Sequence, residues 1–237
     1  MEREELQAYL AQRKDLNADV DPERPMFVIH RRDGDTVDYH VRLEVGPTMK
    51  CWAIETVPSL NPAAKRSAAP IEDVDLDGAD FEGVTDRAAI MLWDAGWYRN
   101  LRTEYDGDPE GMSKAIGEGK VEVWLEGQKL CGGFRLHRTG QDDAWVFAKL
   151  ADEGADLETT DEDDKIIPDA DRSALSGRTM EEILASSDRT PSESLRRGAV
   201  GSDGERSLGD RGEEGSAGEM PIKWKHDGPE PGPASLS

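Results

Sequence analysis

Residues 27–44, Phe27-Val-Ile-His30-Arg-Arg-Asp-Gly-Asp-Thr-Val37-Asp-Tyr-His40-Val-Arg-Leu-Glu44, carry the pattern that decides the fold. From Val37 the alternation is strict. Val37, Tyr39, Val41 and Leu43 point one way, and Asp38, His40, Arg42 and Glu44 point the other. Successive side chains of a strand face opposite sides, so this spacing lines four ionisable groups along one face, about 7 Å apart. His30 and Arg32 share a face of the preceding strand in the same way. Two imidazoles, a carboxylate and arginines on neighbouring strands are the ingredients of a metal or phosphate site. They are equally the ordinary polar face of a half-buried antiparallel sheet. Both readings stand at this point.

Working outward, the 237 residues divide by composition. Five of the six tryptophans fall in residues 1–150, and apolar residues thin out after Leu150. This predicts one folded domain over 1–150, an acidic linker with a short helix over 151–186, and a disordered acidic tail over 187–237. Such a tail buries too little apolar surface to offset the entropy of ordering it. Of the net charge of −22, about −10 belongs to residues 1–150. A chain so acidic lacks the basic footprint of a non-specific DNA binder, so any nucleic-acid contact is local. Arg31, Arg32, Arg42, Lys65 and Arg66 are the clustered candidates. No apolar run is long enough to cross a membrane, and Met1-Glu-Arg-Glu-Glu lacks the features of a leader, which predicts a cytoplasmic protein. Cys51 and Cys131 are too few for a zinc motif and read as buried thiols.

Residues 3–14 read as a short helix, with Leu6, Tyr9 and Leu10 at helical spacing. Strand-like runs follow at 26–31, 37–45, 48–54, 88–98, 119–126, 129–138 and 144–150, with turn signals at Gly46-Pro47 and Gly127-Gln128. Residues 57–83 read as irregular, being rich in Pro, Asp and Gly. Thr179 with Glu182 makes a capping-box pattern, which predicts a helix at 180–186. The expected architecture is mainly β: a small antiparallel β-barrel with a short N-terminal helix.

His30, Asp38 and His40 are ligand types that suit Mn, Fe or Zn if their strands pair. A divalent ion there would polarise a phosphoryl oxygen, with Arg42 and Arg66 on the remaining oxygens. Arg32 opposes this, because a unit charge 4 Å from a divalent ion costs roughly 8 kcal/mol at an effective dielectric near 20. Either Arg32 turns outward, or its guanidinium takes the cation's place and binds phosphate itself. P-loop, dinucleotide and Gly-x-Ser-x-Gly motifs are absent from the chain.

These residues resemble a family, the 3′-phosphoesterase domain of bacterial DNA ligase D and its stand-alone relatives. The resemblance covers about residues 9–150 and resumes at Ser176–Leu184. The family's strand pair runs Phe-Val-x-x-x-His-Asp-x-x-x-x-His-Tyr-Asp-x-Arg-Leu-Glu. Phe27, Val28, Asp33, Tyr39, Arg42, Leu43 and Glu44 match it. Lys50-Cys-Trp-Ala-Ile, Pro58-Ser-Leu-Asn-Pro and Lys65-Arg66 resemble the next segment. Asp80-Phe-Glu-Gly, Trp93-Asp-x-Gly96, Gly127-x-Lys-Leu and Trp145-x-x-x-Lys149 resemble later ones. The resemblance implies a manganese-dependent removal of 3′-phosphates and 3′-terminal ribonucleotides from DNA ends. It carries the metal-ligand positions onto Arg32, Asp38 and His40, with His30 as a replacement for the ligand lost at Arg32. It places catalytic positions at Arg42, Arg66, Asp33 and Asp15, and phosphate contacts at Arg32, Arg42 and Arg66. The chain departs from the pattern at further places: Asp38-Tyr-His40 stands swapped for His-Tyr-Asp, a family histidine corresponds to Val74 and a tyrosine to Gly78, and the loop before the Trp-Asp strand is shortened to Val84–Ala89. Losing even a partner of a metal ligand commonly costs 10–100-fold in affinity or activity.

Three functions follow as expectations. The first is a phosphate- or DNA-end-binding module with a degenerate site, built on Arg32, Arg42 and Arg66. The second is a residual Mn-dependent phosphoesterase that uses His30, Asp38 and His40. The third is a non-catalytic scaffold for a repair protein. All three expect a monomer with no membrane partner.

Overall fold

The computed structural model describes residues 1–15, 21, 24–102, 109–140, 144–157 and 167–186. A helix α1 (Arg3–Lys14) precedes four strands, β1 (Met26–Asp33), β2 (Val37–Val45), β3 (Thr48–Ile54) and β4 (Arg66–Asp75). A 3₁₀ turn at Leu76–Gly78 leads to β5 (Gly83–Val84) and β6 (Ala89–Asn100). Helix α2 (Pro109–Glu118), strands β7 (Lys120–Gly127), β8 (Cys131–Arg138) and β9 (Trp145–Lys149), and helix α3 (Met180–Ala185) complete the order.

The strands pair antiparallel in the order β1-β2-β3-β4-β9-β8-β7-β6-β5, and β1 also pairs with β6. That last pairing closes eight strands into a barrel and leaves the two-residue β5 attached beside β6. Alternation along each strand then fixes what fills the barrel. Phe27 and Ile29 of β1, Tyr39, Val41 and Leu43 of β2, and Trp52 of β3 all belong to the inner core with Trp93, Phe134 and Phe147. An eight-stranded barrel has an interior just wide enough for such side chains to fill. The β2–β3 connection is the two-residue Gly46-Pro47 turn, where Gly46 takes the left-handed φ of 61° that favours glycine.

A second core lies outside the barrel wall. Leu6 and Leu10 of α1 pack onto Met26 and Val28 of β1, Met49 and Cys51 of β3, and Leu92 and Ala95 of β6. The helical spacing of the leucines gives α1 one apolar stripe, which it buries against the barrel's outer face. The predicted barrel, N-terminal helix and Gly46-Pro47 turn are as expected. The capping box is also present, with Thr179 accepting from the Glu182 N–H and the Glu182 carboxylate accepting from the Thr179 N–H. Met180 and Ile183 of α3 are buried in the barrel's inner cluster together with Ile167.

Two elements differ from the sequence reading. Within the stretch 57–83 that reads as irregular lies β4, a polar strand with Ala68 buried and six of its ten residues exposed. Its partners β3 and β9 fix it through backbone hydrogen bonds, which side-chain pattern does not report. Helix α2 was not expected at all. The tail expected over 187–237 lies outside the described residues.

Asp94 of β6 shows how the barrel is pinned. Its fully buried carboxylate accepts from the backbone N–H of Gln128 (2.9 Å), Lys129 (3.1 Å) and Leu130 (2.8 Å), the β7–β8 connection. Burial pushes its pKa up, while these N–H groups and the Lys129 ammonium pull it back. Asp94→Ala would leave three N–H donors unpaired, two of them in buried bonds, so it is expected to lower unfolding free energy by about 3 kcal/mol. Denaturant titration checks this, and a loss under 1 kcal/mol would contradict the pinning role.

Candidate phosphate site

The β1–β2 register brings the polar face together as the alternation predicts. His30 lies opposite His40, and Arg32 opposite Asp38. Directly opposed residues point to the same side of a sheet. Here that side is the barrel's outer surface, yet it is not a solvated face. His30 is 1% exposed, His40 8% and Arg42 7%. Helix α1 covers one part of the wall, and the segment after β4 covers another, its Phe81 carbonyl lying 3.0 Å from His30 Nε2. Lys14 at the end of α1 pairs with Asp80 at 2.6 Å, which links the two covers.

Hydrogen-bond chemistry assigns the imidazole tautomers. A carbonyl only accepts, so His30 Nε2 donates to Phe81 and its Nδ1 is bare. A guanidinium only donates, so His40 Nε2 accepts from Arg32 Nη1 at 2.9 Å and its Nδ1 carries the proton. The same Arg32 Nη1 lies 3.5 Å from Asp38 Oδ2, and Asp38 Oδ1 lies 3.4 Å from His40 Nε2. Both imidazoles are held neutral. Burial, then the Arg32 and Arg42 charges, push His40 down to about 3. Burial, Arg42 and His40 hold His30 well below its ordinary value. Burial raises Asp38, against the pull of Arg32.

A metal ion does not fit this arrangement. The Arg32 guanidinium stands where an ion shared by His40 and Asp38 would sit, and His30 spends its Nε2 on a carbonyl. Among the described residues no three His, Cys, Asp or Glu are grouped to hold an ion. What remains is cationic. Arg42 is buried opposite Cys51, its Nε has no hydrogen-bond partner, and no carboxylate pairs with it among the described residues. Burial and the Arg32 charge lower the Arg42 pKa. Glu44, the next group on the face, is already committed: its carboxylate takes Arg13 and the Met26 N–H at 2.7 Å.

The other sequence candidates fall elsewhere. Arg66 lies opposite Phe147, a core residue, so it starts from the inner side of the wall, and its Nε donates to the Val57 carbonyl at 2.9 Å. Asp33 takes the opposite side of β1 from Arg32 and lies 3.4 Å from Arg31 Nη2. Asp15 is the C-cap of α1. Sequence reasoning missed the second tier. Glu82 is buried, and its Oε1 accepts from Ser176 Oγ (2.5 Å) and from Arg178 Nη2 (2.7 Å) and Nε (3.3 Å). This anchors the segment whose Phe81 carbonyl holds His30. The sequence carries a signal for it, since Asp80-Phe-Glu-Gly and Ser176–Leu184 are two separate stretches of the resemblance.

The buried neutral imidazole has a pH signature. His40 binds a proton more readily in the unfolded chain, where its pKa is near 6.5, so the stability it contributes is lost as pH falls from about 6.5 towards 3. Between pH 7 and pH 5 wild type is expected to lose about 2 kcal/mol more than His40→Asn. Denaturant titrations at both pH values measure the difference, and equal losses would show that His40 is not held neutral.

A family model described as the DNA Ligase D 3′-phosphoesterase domain matches residues 30–138. The multifunctional non-homologous end joining protein LigD of Pseudomonas aeruginosa is 33% identical over 163 residues, covering 65% of this chain and 18% of that protein. The multifunctional non-homologous end joining DNA repair protein LigD of Mycobacterium tuberculosis is 28% identical over 129 residues, covering 52% of this chain and 16% of that protein. The chain thus spans less than a fifth of the length of these relatives. The matched region holds the His30–Asp38–His40 face, the barrel strands from β2 to β8 and the Asp94 pin, and it places residues 30–138 of this chain in the DNA Ligase D 3′-phosphoesterase domain family.

Proposed function

We propose that this chain is a phosphate-binding module of DNA end-joining repair, which grips a phosphate at a DNA end through Arg32 and Arg42 without a metal ion and without turnover. The observation that carries the reading is the Arg32 guanidinium, seated between His40 and Asp38 where a cation would stand. The relatives are named for non-homologous end joining, which suggests the DNA end as the phosphate's source.

Electrostatics supports an anion. Arg42 is a buried cation without a counter-charge among the described residues, and an unpaired buried charge costs several kcal/mol. A phosphate oxygen would supply the missing charge, and Arg42 Nε–H and His40 Nδ1–H are buried donors without partners among the described residues. The Arg32 side chain is 29% exposed, which leaves a side of it open to a ligand. Hydrolysis has no evident agent. Neither imidazole is poised to gain a proton near neutral pH, and no step here activates a water. We assign the module to the cytoplasm, acting as a monomer.

Calorimetric titration of the full chain with inorganic phosphate, in the presence of a chelator, tests this. Binding is expected for wild type. It should weaken about tenfold or more in Arg32→Ala, which is partly exposed and should fold, and likewise in Arg42→Ala. A 3′-phosphorylated primer should be recovered intact. Undiminished binding in Arg32→Ala, or release of phosphate from the primer, would overturn the reading.

A further inference from the structure

Beside the buried cluster, where the β1–β2 hairpin meets the turn between β5 and β6, lies an open cavity of about 430 Å³. That volume is within the range of small-molecule sites. Arg32 and Asp38 belong to both the cluster and the cavity, so the two are continuous. Arg87 and Asp86 of the β5–β6 turn line the same cavity, with Asp35 and Thr36 from the hairpin tip. Arg87 is exposed, and its guanidinium has no hydrogen-bond or carboxylate partner among the described residues.

The turn that carries Arg87 is built rather than slack. Thr85 Oγ1 accepts from the N–H of Arg87 (3.3 Å) and Ala88 (3.1 Å) and donates to the Ala88 carbonyl (2.9 Å). The Thr85 N–H closes the same turn onto Ala88 at 2.9 Å. The hairpin tip is seated directly on it, because a Cβ at Gly34 would lie 2.8 Å from the Arg87 carbonyl oxygen. Backbone contacts therefore fix the turn that carries Arg87 against the hairpin tip, and Arg87 and Arg32 line one cavity, so the backbone needs no rearrangement to offer both and less entropy is lost on binding.

We propose that Arg87 and Arg32 form a second phosphate subsite, which holds the phosphodiester adjoining the terminal phosphate of a DNA strand. This rests on the phosphate-binding reading above and extends it to the next unit of the strand. The lining charges select the ligand. A free dianion gains two guanidiniums but meets Asp35, Asp38 and Asp86. A phosphodiester carries one charge, and its nucleosides bring hydroxyl or amino donors for those carboxylates. Arg87 lies outside the residues that the sequence resemblance carries over, in the turn between β5 and β6.

The test compares wild type, Arg87→Ala and Arg99→Ala of the full chain against two probes: inorganic phosphate, and a short single-stranded DNA bearing a 3′-phosphate. Arg99 is exposed on β6 some 30 Å along the strand from the cavity end, so its loss makes the same charge change at a distance. Arg87→Ala is expected to weaken the oligonucleotide about tenfold and lower the slope of log K against log salt by about 0.7. Inorganic phosphate should bind it as it binds wild type, and Arg99→Ala should leave both affinities unchanged. If Arg87→Ala binds the oligonucleotide like wild type, or Arg99→Ala loses as much, the second subsite is overturned while the phosphate site stands. If wild type binds neither probe, both readings fall together.

Discussion

β1 is paired along both edges, with β2 on one side and β6 on the other, and this double pairing is the constraint on which the molecule rests. It closes the barrel, so the wall has an inside and an outside, and strand alternation sorts every residue between them. Phe27 and Ile29 go in; Met26, Val28, His30 and Arg32 go out. The outward set then splits by what covers it. Met26 and Val28 lie under α1, while His30 meets the segment held by Glu82, Ser176 and Arg178. The register shift between Ile29 and His30 in the β1–β6 ladder falls at that division. Bulges commonly re-aim side chains beside functional sites.

The candidate site is unusual for where its positive charge sits. The chain carries 51 acidic residues against 29 basic ones, yet Arg42 is buried with no carboxylate beside it among the described residues. Four other buried charges have partners of opposite polarity: Glu82 has Arg178, Glu44 has Arg13, Lys149 has Asp152, and Asp94 has three backbone N–H groups. A fold that pairs those four and leaves Arg42 open has a place for an anion. The neutral histidines fit the same account, since protonating either would add a third cation to a space that already holds two.

Much of this was legible in the sequence because it depends on local alternation. The stretch from Val37 to Glu44 fixes β2, the sharing of one face by Asp38, His40 and Arg42, and, with β1, the pairing of His30 near His40. The conflict between Arg32 and a metal was also legible, as a matter of charge. Burial was not, because the covers come from α1 and from residues 80–82, far from the face in sequence. Arg66 illustrates the limit. Its identity suggested a partner for Arg42, but its face depends on β4, a strand whose run Ser67-Ala-Ala-Pro-Ile-Glu-Asp has no apolar alternation to show. Arg87 was invisible for a similar reason: only the packing of Gly34 against its carbonyl brings it to Arg32.

The most direct test of the central claim, that a guanidinium has replaced the ion, is electron paramagnetic resonance of Mn²⁺ mixed with the chain. The account predicts that the free-ion spectrum is unchanged by an equivalent of wild type, with phosphate binding intact in chelator. Disappearance of the free-ion signal at one ion per chain, restored by His40→Ala, would contradict it.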